Sequence, residues 1–111
     1  MAYNQMLQST IEGVKGIART DLCVFDVEGR IVAATNEDAA ANSASVMAFV
    51  DSPAEIQVVQ GYQYFKIFDN GSLEYVMLIK GDSDDVYTIG KLVAFQITNL
   101  LSAYKEKFDK E

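Results

Sequence analysis

Apolar positions along the chain change period several times, and each change marks an element. Over residues 3–18, Leu7, Ile11, Val14 and Ile17 recur every three or four residues, which places them on one stripe of a helix. Gly13 and Gly16 weaken that helix, which should end near Ile17. The next two runs, Asp21 to Asp26 and Ile31 to Thr35, are apolar at successive positions and flank Val27-Glu28-Gly29-Arg30. They read as a β-hairpin covered on both faces, with Gly29 supplying the positive φ of the turn. A stripe returns at Val46, Met47, Phe49 and Val50 and predicts a helix over 43–50, with a start as early as Glu37 left open. Pro53 disfavours helical geometry at Ser52 and stops it. A short strand over 56–60 follows.

Residues 62–80 carry the strongest local signal. Asn70-Gly71 lies between two long β-rich runs, and that dipeptide favours a type I′ hairpin turn. A two-residue loop pairs Asp69 with Ser72 and, counted outward, Lys66 with Tyr75 and Tyr62 with Ile79. Alternation then collects Tyr62, Tyr64, Lys66 and Phe68 opposite Ile79, Met77, Tyr75 and Leu73 on one face. The other face carries Gln63, Phe65 and Ile67 opposite Leu78, Val76 and Glu74. Neither face is mainly polar, so both need cover.

From about Ser83 to Asp109, Val86, Ile89, Val93, Ile97, Leu100, Tyr104 and Phe108 recur at helical spacing. Asp82 or Ser83 can cap the first turn, Asp84 and Asp85 suit the positive end of the dipole, and Lys105, Lys107 and Lys110 suit the negative end. About 27 residues at 1.5 Å each make a rod of roughly 40 Å, against about 30 Å for a domain of this size. The rod should therefore overhang its own core, and its stripe should want a second chain or lead into a following domain. The expected architecture is α+β, a five-stranded antiparallel sheet flanked by helices, in the PAS, profilin and roadblock-like group. It reads as one domain over 1–111, with 1–81 forming the N-terminal helix and sheet core and 82–111 a signalling or dimerisation helix.

Composition narrows the function more than the fold. Half of the 111 residues are hydrophobic, enough for a self-sufficient core. No apolar run approaches the roughly 18 residues that cross a bilayer, and the first residues lack the basic start and apolar stretch of a signal peptide. The single cysteine, Cys23, allows no internal disulfide and suits a reducing cytoplasm. Nine Lys and Arg against 16 Asp and Glu leave a net charge of −7, which repels phosphate backbones and argues against DNA or RNA contact. With no histidine and one cysteine, the commonest general base and the usual zinc ligands are missing. The expectation is a protein that is not an enzyme and carries no cofactor or metal. Asp82-Ser83-Asp84-Asp85 lacks the spacing and closing glutamate of a calcium loop, and helix capping accounts for it.

Two segments carry a resemblance. Residues 22–35, Leu-Cys-Val-Phe-Asp-Val-Glu-Gly-Arg-Ile-Val-Ala-Ala-Thr, resemble the first hairpin of the sugar-diacid recognition domain found at the N-terminus of bacterial diacid-utilisation transcription regulators. Residues 80–93, Lys-Gly-Asp-Ser-Asp-Asp-Val-Tyr-Thr-Ile-Gly-Lys-Leu-Val, are similar to that family's strand ending in Gly-Asp, acidic pair and helix start. The two cover about a quarter of the chain. The family's usual histidine-containing stretch after the first hairpin has no counterpart here. Gln60-Gly61-Tyr62-Gln63-Tyr64-Phe65 stands where the family has a Gly-rich strand entry. What the resemblance implies is a cytoplasmic sensory module that relays a ligand signal to a DNA-binding region lying beyond Glu111.

The most site-like constellation is Tyr62, Tyr64, Lys66 and Tyr75. Aromatic walls with one cation can hold a small organic acid or hydroxylated metabolite, although a packed sheet face with polar tips at its rim has the same composition. Arg30 offers bidentate recognition of a carboxylate but follows a turn glycine. Arg19 sits in a loop where it can pair with Asp21. Ser52 can line a pocket mouth or simply end a helix. Cys23 lies in an apolar strand and reads as a core thiol. Two functions follow: a homodimeric small-molecule sensor, with its ligand between the sheet and the 43–50 helix, or a roadblock-like interaction and dimerisation scaffold that binds no small ligand. An enclosed cavity marks the first, and a filled interior with apolar groups left outside marks the second.

Overall fold

A computed structural model describes the backbone of residues 2–109 and the side chains of residues 3–106. Helix α1 (Ala2–Ala18) leads into strands β1 (Leu22–Asp26) and β2 (Ile31–Ala34). A 3-10 turn (Ala39–Asn42) and helix α2 (Ser43–Val50) follow, then β3 (Ile56–Val59), β4 (Tyr62–Asp69), β5 (Ser72–Lys80) and helix α3 (Asp84–Asp109). Local chemistry explains most of these boundaries. Arg19, at φ 60°, takes the left-handed position that ends α1, and its N–H bonds the Lys15 carbonyl at 2.8 Å. Asn70 (φ 53°) and Gly71 (φ 83°) make the expected hairpin turn. Ser83 Oγ accepts from the N–H of Val86 at 3.3 Å and caps α3.

The five strands form one antiparallel sheet in the order β2-β1-β5-β4-β3. Strand β1 pairs with both β2 and β5, so it lies inside the sheet, and Leu22 to Phe25 are all buried. Strand β2 is an edge and only partly covered, in contrast to the two-sided burial its composition suggests. One sheet face carries Leu22, Val24, Phe65, Ile67, Met77 and Ile79, packed against α1 and α3. The opposite face carries Cys23, Phe25, Tyr64, Val76 and Leu78 beneath Val46 and Phe49 of α2. Helices α1 and α3 run antiparallel, with the Tyr3 and Tyr104 rings 5.6 Å apart.

The pairing of β4 with β5 corrects the simple hairpin count. Asp69 pairs with Ser72 and Phe68 with Leu73, but Ile67 pairs with Tyr75 and Lys66 with Val76. Glu74 is an extra residue at a bulge, and one extra residue exchanges the faces of everything beyond it. Tyr75 therefore lies on the α1/α3 face, whereas Tyr62, Tyr64 and Lys66 remain on the α2 face.

The expected overhang of the last helix is also corrected. Gly90, Val93, Ile97 and Leu101 are buried, and Val86, Ile89, Leu100 and Tyr104 pack partly buried on the same core. The stripe is thus satisfied within its own subunit as far as Tyr104, while Phe108 lies outside the described side chains. The molecule is elongated, 43 × 31 × 25 Å, so a rod of roughly 40 Å fits within its length, where a near-spherical domain about 30 Å across would leave it overhanging. Gly90 allows the close approach: a Cβ there would stand 2.4 Å from the Phe65 ring. Among the described residues, no helix is long and apolar enough to cross a membrane.

Candidate functional site

The candidate site lies where β4 passes beneath α2. Alternation along β4 turns Tyr62, Tyr64 and Lys66 toward that helix, and the Ser52-Pro53 stop brings the chain back over Lys66. Tyr64 is fully buried, and its ring meets Phe49 edge-on with centroids 5.5 Å apart. Such a contact contributes about 0.5–1.5 kcal/mol beyond simple burial. The Lys66 ammonium donates to the Ser52 carbonyl and stands 5.1 Å from the centroid of the Phe49 ring. The cation is therefore engaged within the fold, on the last turn of α2 and on an aromatic face. Tyr62 is half-buried at the margin of this cluster, beside Val59 on the edge strand.

The Tyr64 hydroxyl is the one discordant feature. It is buried near Ser45 without a well-formed hydrogen bond. Burial pushes its ionisation above the usual tyrosine range, and Ser45 opposes the shift. A buried hydroxyl left wholly unpaired costs about 1–3 kcal/mol, and the nearby Ser45 offsets part of that cost.

The remaining candidate residues are dispersed. Tyr75, on the other face, has its ionisation raised by burial and then by the neighbouring Glu74. Arg30 is largely exposed and pairs with Asp26 at 2.9 Å and with Glu28. The second Asp26 oxygen accepts from the N–H groups of Glu28 and Arg30 at 2.9 and 3.0 Å, so Arg30 closes the β1–β2 turn. Ser52 Oγ donates to the Phe49 carbonyl at 2.8 Å and finishes α2. Asp21 pairs with Lys15 at 2.7 Å and not with Arg19, and that lysine and Thr35 hold its carboxyl below the usual range. Burial pushes the Cys23 thiol up to about 12, which makes it unreactive in the folded chain.

Sequence reasoning missed an open cleft of about 310 Å³ lined by Asp69, Asn70, Ser102, Lys105 and Glu106. Lys105 reaches the buried Asp69 at 2.8 Å and Glu74 at 3.6 Å, and Ser102 Oγ donates to Asp69 at 3.4 Å. Asp69 and then burial act on the lysine with opposite signs, and the net effect is to raise its ionisation. Asp69 and Glu74 both pair with that one ammonium, and Glu106 lines the same cleft. No short-range signal links positions 69 and 105, because the turn and the helix end meet only in the folded chain. Among the described residues, no group of three or more His, Cys, Asp or Glu could hold a metal ion.

The side chains converging beneath α2 thus bond chiefly to one another. No protein-family model matches the chain, and no curated protein matches it.

Proposed function

We propose that this chain is a protein-interaction scaffold that works as a homodimer, in the manner of roadblock-like domains, and that it is not an enzyme. The observation that carries this reading is where the apolar side chains lie. Tyr64 and Phe49 fill the space beneath α2, while Leu92 and Phe95 of α3 stand 64 % and 66 % exposed. Large apolar side chains grouped on a surface mark protein contact. The order of elements, one helix, two strands, a short helix, three strands and a long helix, supports the same reading. The net charge of −7 favours a protein partner over nucleic acid, and the unpaired buried Cys23 favours a reducing, cytoplasmic setting.

One observation favours a second reading, the sensory module of a transcription regulator with a small organic acid bound between sheet and α2. The unpaired Tyr64 hydroxyl under α2 could meet a ligand oxygen if the helix lifted. A single preparation separates the readings: sedimentation gives the mass, and thermal shift against sugar diacids and other small organic acids gives the binding. The scaffold predicts a dimer and no shift. A monomer at every accessible concentration sinks it, and a saturable shift lost in Tyr64→Phe establishes the sensor.

A further inference from the structure

Helix α3 buries one apolar stripe against its own subunit and leaves two large apolar side chains, Leu92 and Phe95, on its outer side. Gly90, Val93, Ile97 and Leu101 are buried against the sheet. On the opposite side, Thr88, Leu92, Phe95 and Asn99 recur at spacings of four, three and four, and all are exposed. That alternation keeps them on one line along the helix, as in the seam of a helix pair.

We infer that this outer line of α3 is the surface through which two copies of the chain associate, with the two α3 helices antiparallel about a point between Leu92 and Phe95. The inference rests on the scaffold reading and specifies its interface. The choice of a second copy as occupant comes from self-complementarity. About that point Leu92 faces the partner's Phe95, and Thr88 faces the partner's Asn99. The centre is then apolar, hydrogen-bonding pairs flank it, and no like charges meet. A parallel pair would instead set Asp84, Asp85, Lys91 and Glu106 each beside its own copy, which is repulsive. In the antiparallel arrangement the helix dipoles also oppose each other favourably. For a chain of net charge −7, keeping the acidic starts of the two α3 helices apart decides the orientation.

The test uses the full chain. Phe95→Asp removes the central contact at an exposed position, so circular dichroism and melting temperature should remain close to wild type. Sedimentation should show self-association weakened at least about tenfold, the scale of a central interface side chain. Orientation is read by disulfide trapping, since the native Cys23 is buried and unreactive. Mixed Thr88→Cys and Asn99→Cys chains should cross-link to each other far faster than either does to itself. Self-cross-linking of Thr88→Cys would overturn the antiparallel arrangement. A Phe95→Asp chain that dimerises like wild type would overturn this surface while leaving self-association intact. A monomeric wild-type chain would overturn both this surface and the dimeric scaffold.

Discussion

The two faces of the sheet are built on different plans. The face under α1 and α3 is covered by helices of 17 and 26 residues, which lie antiparallel and touch each other. The face under α2 is covered by eight helical residues and a four-residue 3-10 turn. Both are closed, but by different means. The long helices bury continuous stripes, whereas α2 depends on a few specific attachments. Its first residue, Ser43, donates to the Gly29 carbonyl at 2.7 Å, Phe49 sits on Tyr64, and Lys66 holds the turn at Ser52. A cover of the second kind opens on its own, without loss of the sheet beneath it. On the readings proposed above, a ligand response would use that opening, and the partner surface lies on the other side.

The largest effects that test this contrast come from Ile97→Ala and Phe49→Ala, each expected to cost about 2–5 kcal/mol on the scale of buried large-to-small changes. Their distribution should differ. Ile97→Ala should lower amide protection across the sheet, α1 and α3 together, whereas Phe49→Ala should first expose residues 39–55 in hydrogen exchange. Equal loss of protection everywhere in both variants would erase the distinction between the two covers.

A smaller effect probes the tight approach of α3. Gly90→Ala adds helix propensity of about 1 kcal/mol, but the new methyl would stand 2.4 Å from the Phe65 ring. Overpacking of that kind costs about 1–3 kcal/mol, so net destabilisation of about 1 kcal/mol is expected in denaturant unfolding. Gly13→Ala, with nothing within 4 Å of the added carbon, should instead stabilise by about 0.5–1 kcal/mol. Stabilisation by both would mean that α3 is not seated closely on β4.

The smallest effect is expected at Tyr64→Phe. The hydroxyl has no well-formed hydrogen bond, so its loss should change unfolding stability by less than about 1 kcal/mol, on the stabilising side. A loss of several kcal/mol would show that the hydroxyl is paired when α2 is in place.

Much of this architecture was legible because it is written in local periodicity. The 43–50 helix, the Asn70-Gly71 turn and the stripe from Val86 to Tyr104 each depend on contacts between near neighbours in sequence, and each is present. The candidate site was less legible. Tyr62, Tyr64 and Lys66 do share a face, but Tyr75 does not, because Glu74 adds one residue to β5 beside the turn. Nothing in Leu73-Glu74-Tyr75 announces a bulge, since its position is set by how the two strands seat on the helices. The engagement of Lys66 with Ser52 and Phe49 was equally hidden, because a lysine that binds a ligand and one that fastens a helix look the same in sequence.

The amino-acid order alone determined the succession of elements, the sheet with cover on both sides, and the net charge of −7. These follow from backbone preference, periodic burial and the count of charges, none of which needs a distant partner. Only the tertiary structure decided which side chains meet. It moved Tyr75 to the other face, joined Lys105 to Asp69, seated the last helix along its own core and left Leu92 and Phe95 outside. Those outcomes depend on strand register and on the angle at which whole helices pack, where a shift of one residue exchanges one face for the other.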